Sequence, residues 1–227
     1  MENIKIITNE VSNLLSIDDS GHGMDHVNRV CRIALSISEE DINKEIVLAI
    51  ALLHDVDDYK LFGLVSSEKL TNARMILSKT NFTEEEKKLI IDSIKTIGYS
   101  KRISGITPTI REAMVVSDAD MLDAMGAIGI LRSYHYNISH GNPFFDKNDF
   151  PILDIDSDKY KLKTKGTVVN HIFEKILKLK SLMLTSKGKE EAIRRHKFVI
   201  SFLNEFFYEE GTSEWQEYLN DYIKTHN

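Results

Sequence analysis

The sequence predicts an all-α fold, and three observations carry that expectation. Apolar residues recur at i, i+3, i+4 and i+7 over most of the chain. Strict alternation of apolar and polar residues over a strand's length is hard to find. One segment, Ile46 to Leu53, is apolar at every position, the pattern of a helix surrounded by others. No Pro/Gly/Ser-rich linker divides the 227 residues, so the expectation is an irregular helical bundle forming a single domain over 1–227.

Ile4, Ile7, Val11, Leu14 and Leu15 mark a first amphipathic helix. A second is predicted over about 24–38, with Val27, Val30, Cys31, Ala34 and Leu35 on its buried side. The third, about 43–56, contains the all-apolar run; Asn43 can cap its start and Glu45 suits its first turn. Further helices are predicted near 66–79, 83–97, 109–123 and 125–139, with Thr83 and Glu86 giving a start signal. From His140 to Gly166 periodicity lapses among Gly141, Pro143, Pro151 and many Asp and Lys residues, the pattern of a functional loop or a disordered one. Helical spacing returns at 168–183 and 189–210. Gly211-Thr212-Ser213 then breaks the chain before a short last helix with Trp215, Leu219 and Tyr222.

Bulk properties narrow the function classes. A net charge of -6 argues against general nucleic-acid binding. The charge is uneven: residues 159–197 hold 12 Lys and Arg against 3 Glu, a local +9 that leaves -15 elsewhere. A basic block in an acidic chain suits a small anionic substrate, or it is simply a solvated basic face. Only Cys31 is present, so no intramolecular disulfide can form and a reducing compartment is expected. The first 15 residues lack the pattern of a signal peptide, and no apolar run approaches the ~20 residues of a membrane span. The expectation is a cytoplasmic protein with no membrane or nucleic-acid partner.

His54 and Asp55 stand side by side at the end of the all-apolar run. An imidazole and a carboxylate there are costly to desolvate unless something pairs them, and a divalent cation is a suitable partner. Upstream lies Gly21-His22-Gly23-Met24-Asp25-His26-Val27-Asn28-Arg29-Val30; downstream lies Ser117-Asp118-Ala119-Asp120-Met121-Leu122-Asp123.

The order His, His-Asp, Asp resembles the ligand signature of the HD-domain superfamily of metal-dependent phosphohydrolases, over about residues 20–210. By that resemblance the metal ligands are His26, His54, Asp55 and Asp120. Asp120 is preferred to Asp118 because Ala119-Asp120-Met121-Leu122 resembles the family's Ala-Asp-x-Leu context. Two imidazoles and two carboxylates suit a borderline divalent ion, with Mn²⁺ favoured and Fe²⁺, Co²⁺, Zn²⁺, Mg²⁺ or Ni²⁺ possible. The resemblance implies hydrolysis of a phosphoanhydride or phosphoester bond in a nucleotide-like metabolite, by attack of a metal-bound water.

In similar HD enzymes an acidic residue four positions after the motif His serves near the scissile phosphate, and Asp58 matches that position. Asp58 is therefore the catalytic candidate, with Lys60 either neutralising a phosphate or merely solvated. His22 is a candidate substrate contact, and Asp118 and Asp123 are candidates to hold a ligand His or a metal water. His171, Lys175 and Lys178, at i, i+4 and i+7, would form a cationic stripe on one helix face. Small HD hydrolases tend to carry a His and a Lys in a comparable C-terminal helix. Arg132 is a further anion-clamp candidate. A simple phosphomonoesterase and a non-catalytic metal- or nucleotide-binding module are the alternative readings. The superfamily's di-iron oxygenases need additional His ligands, which His135, His140 and His196 do not convincingly supply. Its cyclic-dinucleotide phosphodiesterases show a Gly-Tyr-Pro motif that is absent here.

Overall fold

The computed structural model describes residues 2–15, 23–153 and 166–226, except the side chain of Lys60. Among the described residues there is no β-strand, and the fold is all-α. None of their helices is long and apolar enough to cross a membrane. By density of contacts the chain divides into two compact units, Met1–Asp123 with Leu184–Gly188, and Ala124–Met183 with Lys189–Asn227.

In the first unit the elements are α1 (Glu2–Leu14), α2 (Met24–Ile37), α3 (Lys44–Leu53), α4 (Tyr59–Lys69), α5 (Thr71–Ser78), α6 (Glu84–Ile94), α7 (Tyr99–Ile103) and α8 (Arg111–Asp123). Its centre is the mutual packing of α2, α3 and α8. Val27, Val30 and Ala34 of α2, Val47, Ile50, Ala51 and Leu53 of α3, and Val116, Ala119 and Leu122 of α8 are all fully buried. Each large aliphatic side chain taken out of water there contributes ~1.5-3 kcal/mol. Local signals set the helix starts: the Asn43 side chain accepts from the backbone N–H groups of Glu45 and Ile46, and Thr83 and Glu86 form a reciprocal capping box before α6.

Two expectations for this unit are corrected, and one short helix was not expected. The third helix ends at Leu53 rather than at 56, because residues 54–57 turn away. The helix predicted over 66–79 is two helices, α4 and α5, joined at Leu70, which takes a left-handed φ of 52°. Gly63 (φ 79°, ψ 168°) further breaks α4. The five-residue α7 is too short for apolar spacing to have shown it.

The second unit holds α9 (Gly126–Ser139), α10 (Val168–Glu174), a 3-10 helix (Ile176–Leu182), most of α11 (Ser186–Glu209) and α12 (Ser213–His226). Its core joins Val168, Val169, Ile172 and Phe173 to Val199, Leu203, Phe207, Trp215 and Leu219. Phe144, Phe145, Phe150 and Leu153 pack against that core. The Phe150 ring stacks on Trp215 at 4.4 Å, and Trp215 Nε1 donates to Lys147 O at 3.0 Å. Residues 143–153, expected as part of a functional or disordered loop, are therefore clamped by aromatic packing, which a periodicity argument does not register. Residues 154–165 of that loop, with Lys159, Lys161, Lys163 and Lys165, lie outside the described residues.

The helix predicted over 168–183 also changes character. Lys175 leaves the α-helical region (φ -131°, ψ -61°), and the chain continues as a 3-10 helix. His171, Lys175 and Lys178 do not share a face of one continuous α-helix, and the Lys178 ammonium donates to the Leu153 carbonyl.

Candidate metal centre

The three mutually packed helices of the first unit each bring a side chain to one point. His26 lies in the first turn of α2, His54 and Asp55 follow the last turn of α3, and Asp120 lies near the end of α8. Ligand atoms of His26, His54 and Asp120 all fall within 4.8 Å of one another. Asp55 Oδ2 is 3.4 Å from Nε2 of both histidines. Asp120 Oδ1 is 3.6 Å from His26 Nε2 and 3.9 Å from His54 Nε2. The histidine side chains are 2% exposed, whereas Asp55 and Asp120 are 17% and 23% exposed, so the cluster opens on its carboxylate side.

The hydrogen bonds fix which ring nitrogen is available. His26 Nδ1 lies 2.8 Å from Asp123 Oδ2, and a carboxylate can only accept, so Nδ1 carries the hydrogen. His54 Nδ1 donates likewise to the Ala51 carbonyl at 2.8 Å. Both Nε2 atoms then present lone pairs, and they face each other at 3.3 Å with two carboxylates alongside. Four electron-pair donors converging in a mostly buried place repel one another unless a cation or protons lie between them. The donor set fits a borderline divalent ion.

The electrostatics agree. Burial pushes the His54 pKa down, but the Asp55 carboxylate, its hydrogen bond and Asp120 outweigh that effect, and the value is raised to about 9. In the absence of a metal the carboxylates draw a proton into the position a cation would take.

Around this centre the other candidates separate. Asp123 is fully buried and holds His26, and it is in turn held by Arg29, with Nε to Oδ1 at 2.7 Å and Nη2 to Oδ2 at 3.1 Å. Asp118, considered alongside Asp123 as a partner of a ligand or a metal water, is directed elsewhere. It accepts from the backbone N–H groups of Leu184 and Thr185 and from the Thr185 hydroxyl. Its pKa is raised by burial, which those bonds only partly offset. Asp58 is half-buried at the foot of α4, where its carbonyl accepts from Leu61 and Phe62 N–H. Lys60 lies in α4 with its side chain outside the described residues, and His22 lies outside them entirely. Arg132, His171, Lys175 and Lys178 belong to the second unit.

Two residues here were not singled out as site residues from the sequence. Arg29 stands one helical turn after His26, a spacing that could have flagged it. Asp57 is 3% exposed; its partners lie 9 to 16 residues away in sequence, where no local signal reaches.

Residues 23–125, which contain all four of the converging side chains, match the HD domain family. A solved HD-superfamily hydrolase from Bacillus thuringiensis is 33% identical, with 93% of this chain and 98% of that chain covered and a TM-score of 0.72. The chain belongs to the HD superfamily. A structure from Lactobacillus plantarum is 32% identical over 93% of this HD protein and 98% of its own length, with a TM-score of 0.80. The Bacillus subtilis protein YpgQ is 29% identical over 199 residues, covering 86% of this chain and 87% of YpgQ. The structure of YpgQ in complex with ADP covers 89% of this chain and 97% of that one, with a TM-score of 0.66. The HD-superfamily hydrolases are thus the enzymes this chain is grouped with.

Proposed function

We propose that this HD protein is a metal-dependent phosphohydrolase that cleaves a phosphoanhydride or phosphoester bond in a nucleotide-like metabolite, with nucleoside di- and triphosphates favoured. The observation that carries the reading is the convergence of two imidazole Nε2 atoms and two carboxylates. His26, His54, Asp55 and Asp120 would hold the cation, Mn²⁺ being favoured by the mixed nitrogen and oxygen donors. Bound there, the ion would lower the pKa of a coordinated water and polarise the phosphoryl group.

The chain's own residues do the rest. Asp123, braced by Arg29, keeps His26 in the tautomer whose Nε2 carries no hydrogen, and the Ala51 carbonyl does the same for His54. Asp58 orients the attacking water or moves a proton to the leaving oxygen. His22 and Lys60 are the candidate anion contacts of the first unit; Arg132, His171 and Lys175 are candidates of the second, where the Lys178 ammonium is held by the Leu153 carbonyl. The local +9 of residues 159–197 supports a substrate with more than one phosphate. The ADP bound to YpgQ supports a nucleotide.

Elemental analysis together with a phosphate-release screen over nucleoside mono-, di- and triphosphates tests this. The unaltered chain should carry about one transition-metal equivalent, and Asp55→Ala should lose it, because a charged ligand and a coordination position go together. Asp58→Asn should keep the metal and lose ~100-fold or more in turnover. Metal retained in Asp55→Ala would remove the ligand assignment, and unchanged turnover in Asp58→Asn would make Asp58 a bystander. Metal binding with no hydrolysis of any nucleotide would leave a binding module.

A further inference from the structure

Asp57 lies between Asp55 and Asp58, and neither metal binding nor hydrolysis uses it. Its carboxylate is buried and engaged on both oxygens. Oδ1 accepts from the Ser66 hydroxyl and from Asn72 N–H at 2.9 Å, and Oδ2 accepts from Ala73 N–H at 2.9 Å. Asn72 returns a bond, its Nδ2 donating to the Val56 carbonyl at 2.8 Å. Two consecutive residues of the turn are thus tied by four bonds to the end of α4 and the first turn of α5. The arrangement also satisfies N–H groups that the start of α5 leaves unpaired, directly after a non-glycine residue held at positive φ, Leu70. A side chain is held in that region only when its surroundings over-determine it.

The turn needs such support. Once α3 ends at Leu53, the backbone bonds of the turn include Val56 N–H to Leu53 O at 3.4 Å, which is long, and Asp58 N–H to Asp55 O at 3.1 Å. Asp55 is also more exposed than the imidazoles it must meet. We propose that the Asp57–Ser66–Asn72 clasp is a positioning device: it fixes the path of the 54–58 turn so that the Asp55 carboxylate stands beside His26 and His54 before a cation arrives. Asp57 itself touches no ligand, and its effect passes through Asp55. A preset carboxylate removes an ordering cost from binding. This inference rests on the metal reading of the cluster and is independent of whether the protein hydrolyses anything.

Calorimetric titration of the full chain with Mn²⁺, paired with thermal melts of the cation-free protein, tests it. A residue that only stabilises the fold lowers the melting temperature and leaves the affinity of the folded protein unchanged. Asp57→Asn keeps the shape and removes the charged acceptor, and it should weaken Mn²⁺ binding by ~10- to 100-fold, the range for residues that orient metal ligands. Asn72→Ala, which takes away the bond to Val56, should give a smaller loss in the same direction and carries the test alone if Asp57→Asn fails to fold. Thr83→Ala removes the cap of α6 and serves as a control that should cost stability without affinity. Unchanged affinity in folded Asp57→Asn and Asn72→Ala, or an equal loss in Thr83→Ala, would overturn the inference. So would absence of Mn²⁺ binding by the unaltered chain, whereas absence of nucleotide hydrolysis alone would overturn only the proposed activity.

Discussion

His54 is neutral when it ligates and charged when it does not, and this opposition governs how the centre responds to pH. In the cation-free protein its pKa is about 9, against 6.5 for an ordinary histidine. Any cation bound through Nε2 must expel that proton, so the apparent affinity should rise with pH up to about 9, by close to tenfold per unit while His54 is the proton released. Stability without metal follows the opposite course. A folded-state pKa above the unfolded one contributes stability that is present in full below about 6.5 and is lost as pH climbs through 9. Titration with Mn²⁺ from pH 6 to pH 9 checks the first, and an affinity flat across that window would remove His54 from the ligand set. At this scale the sequence was informative where the chemistry is written in neighbouring letters: His54-Asp55 after an apolar run, and Ala119-Asp120-Met121-Leu122. It was uninformative for Asp57 and Asp118. Both are Asp residues beside metal-site candidates, and only partners brought in by the fold, Asn72 and Ala73 for one and Leu184 and Thr185 for the other, show what they hold.

Elements were legible where apolar spacing held over a long stretch. The segments that became α1, α2, α6, α8 and α9 were predicted close to where they lie from that spacing, and for α6 the Thr83 cap agreed with it. Breaks inside apolar periodicity were not legible: Gly63, Leu70 and Lys175 leave the helical region while the spacing around them still reads as helix. The start of α11 shows how tightly such a junction is built. A Cβ added at Gly188 would sit 2.3 Å from Asp118 Oδ2 and 2.6 Å from the Thr185 hydroxyl oxygen. The carboxylate cannot yield cheaply, since its bonds to Leu184 and Thr185 hold it in place. Gly188→Ala gains ~1 kcal/mol of helix propensity, but it leaves buried partners of Asp118 unsatisfied at ~1-3 kcal/mol each. The net should be a destabilisation of ~1-3 kcal/mol, read as a lower denaturation midpoint with unchanged slope. A variant as stable as the unaltered chain would show that Asp118 has room to move.

For the whole molecule the open question is cooperativity, since one domain over 1–227 was the expectation and the contacts divide the chain into two compact units. The division is not a cut at one point in the sequence. Leu184–Gly188 returns to the first unit, held there through Asp118, and α11 starts in that unit and continues as part of the second. Unfolding of either unit deprives part of this shared helix of the packing that stabilises it, so the two units should unfold together. All four candidate ligands lie in the first unit, which makes the metal a selective handle on that question. At 100 times its Kd a ligand specific to the native state adds ~2.7 kcal/mol, which for a chain of this size raises Tm by roughly 5–10 °C. Calorimetry with and without a chelator should therefore show one transition that moves as a whole. Two transitions, of which only one shifts on chelation, would establish that the units unfold independently and that the chain holds two domains.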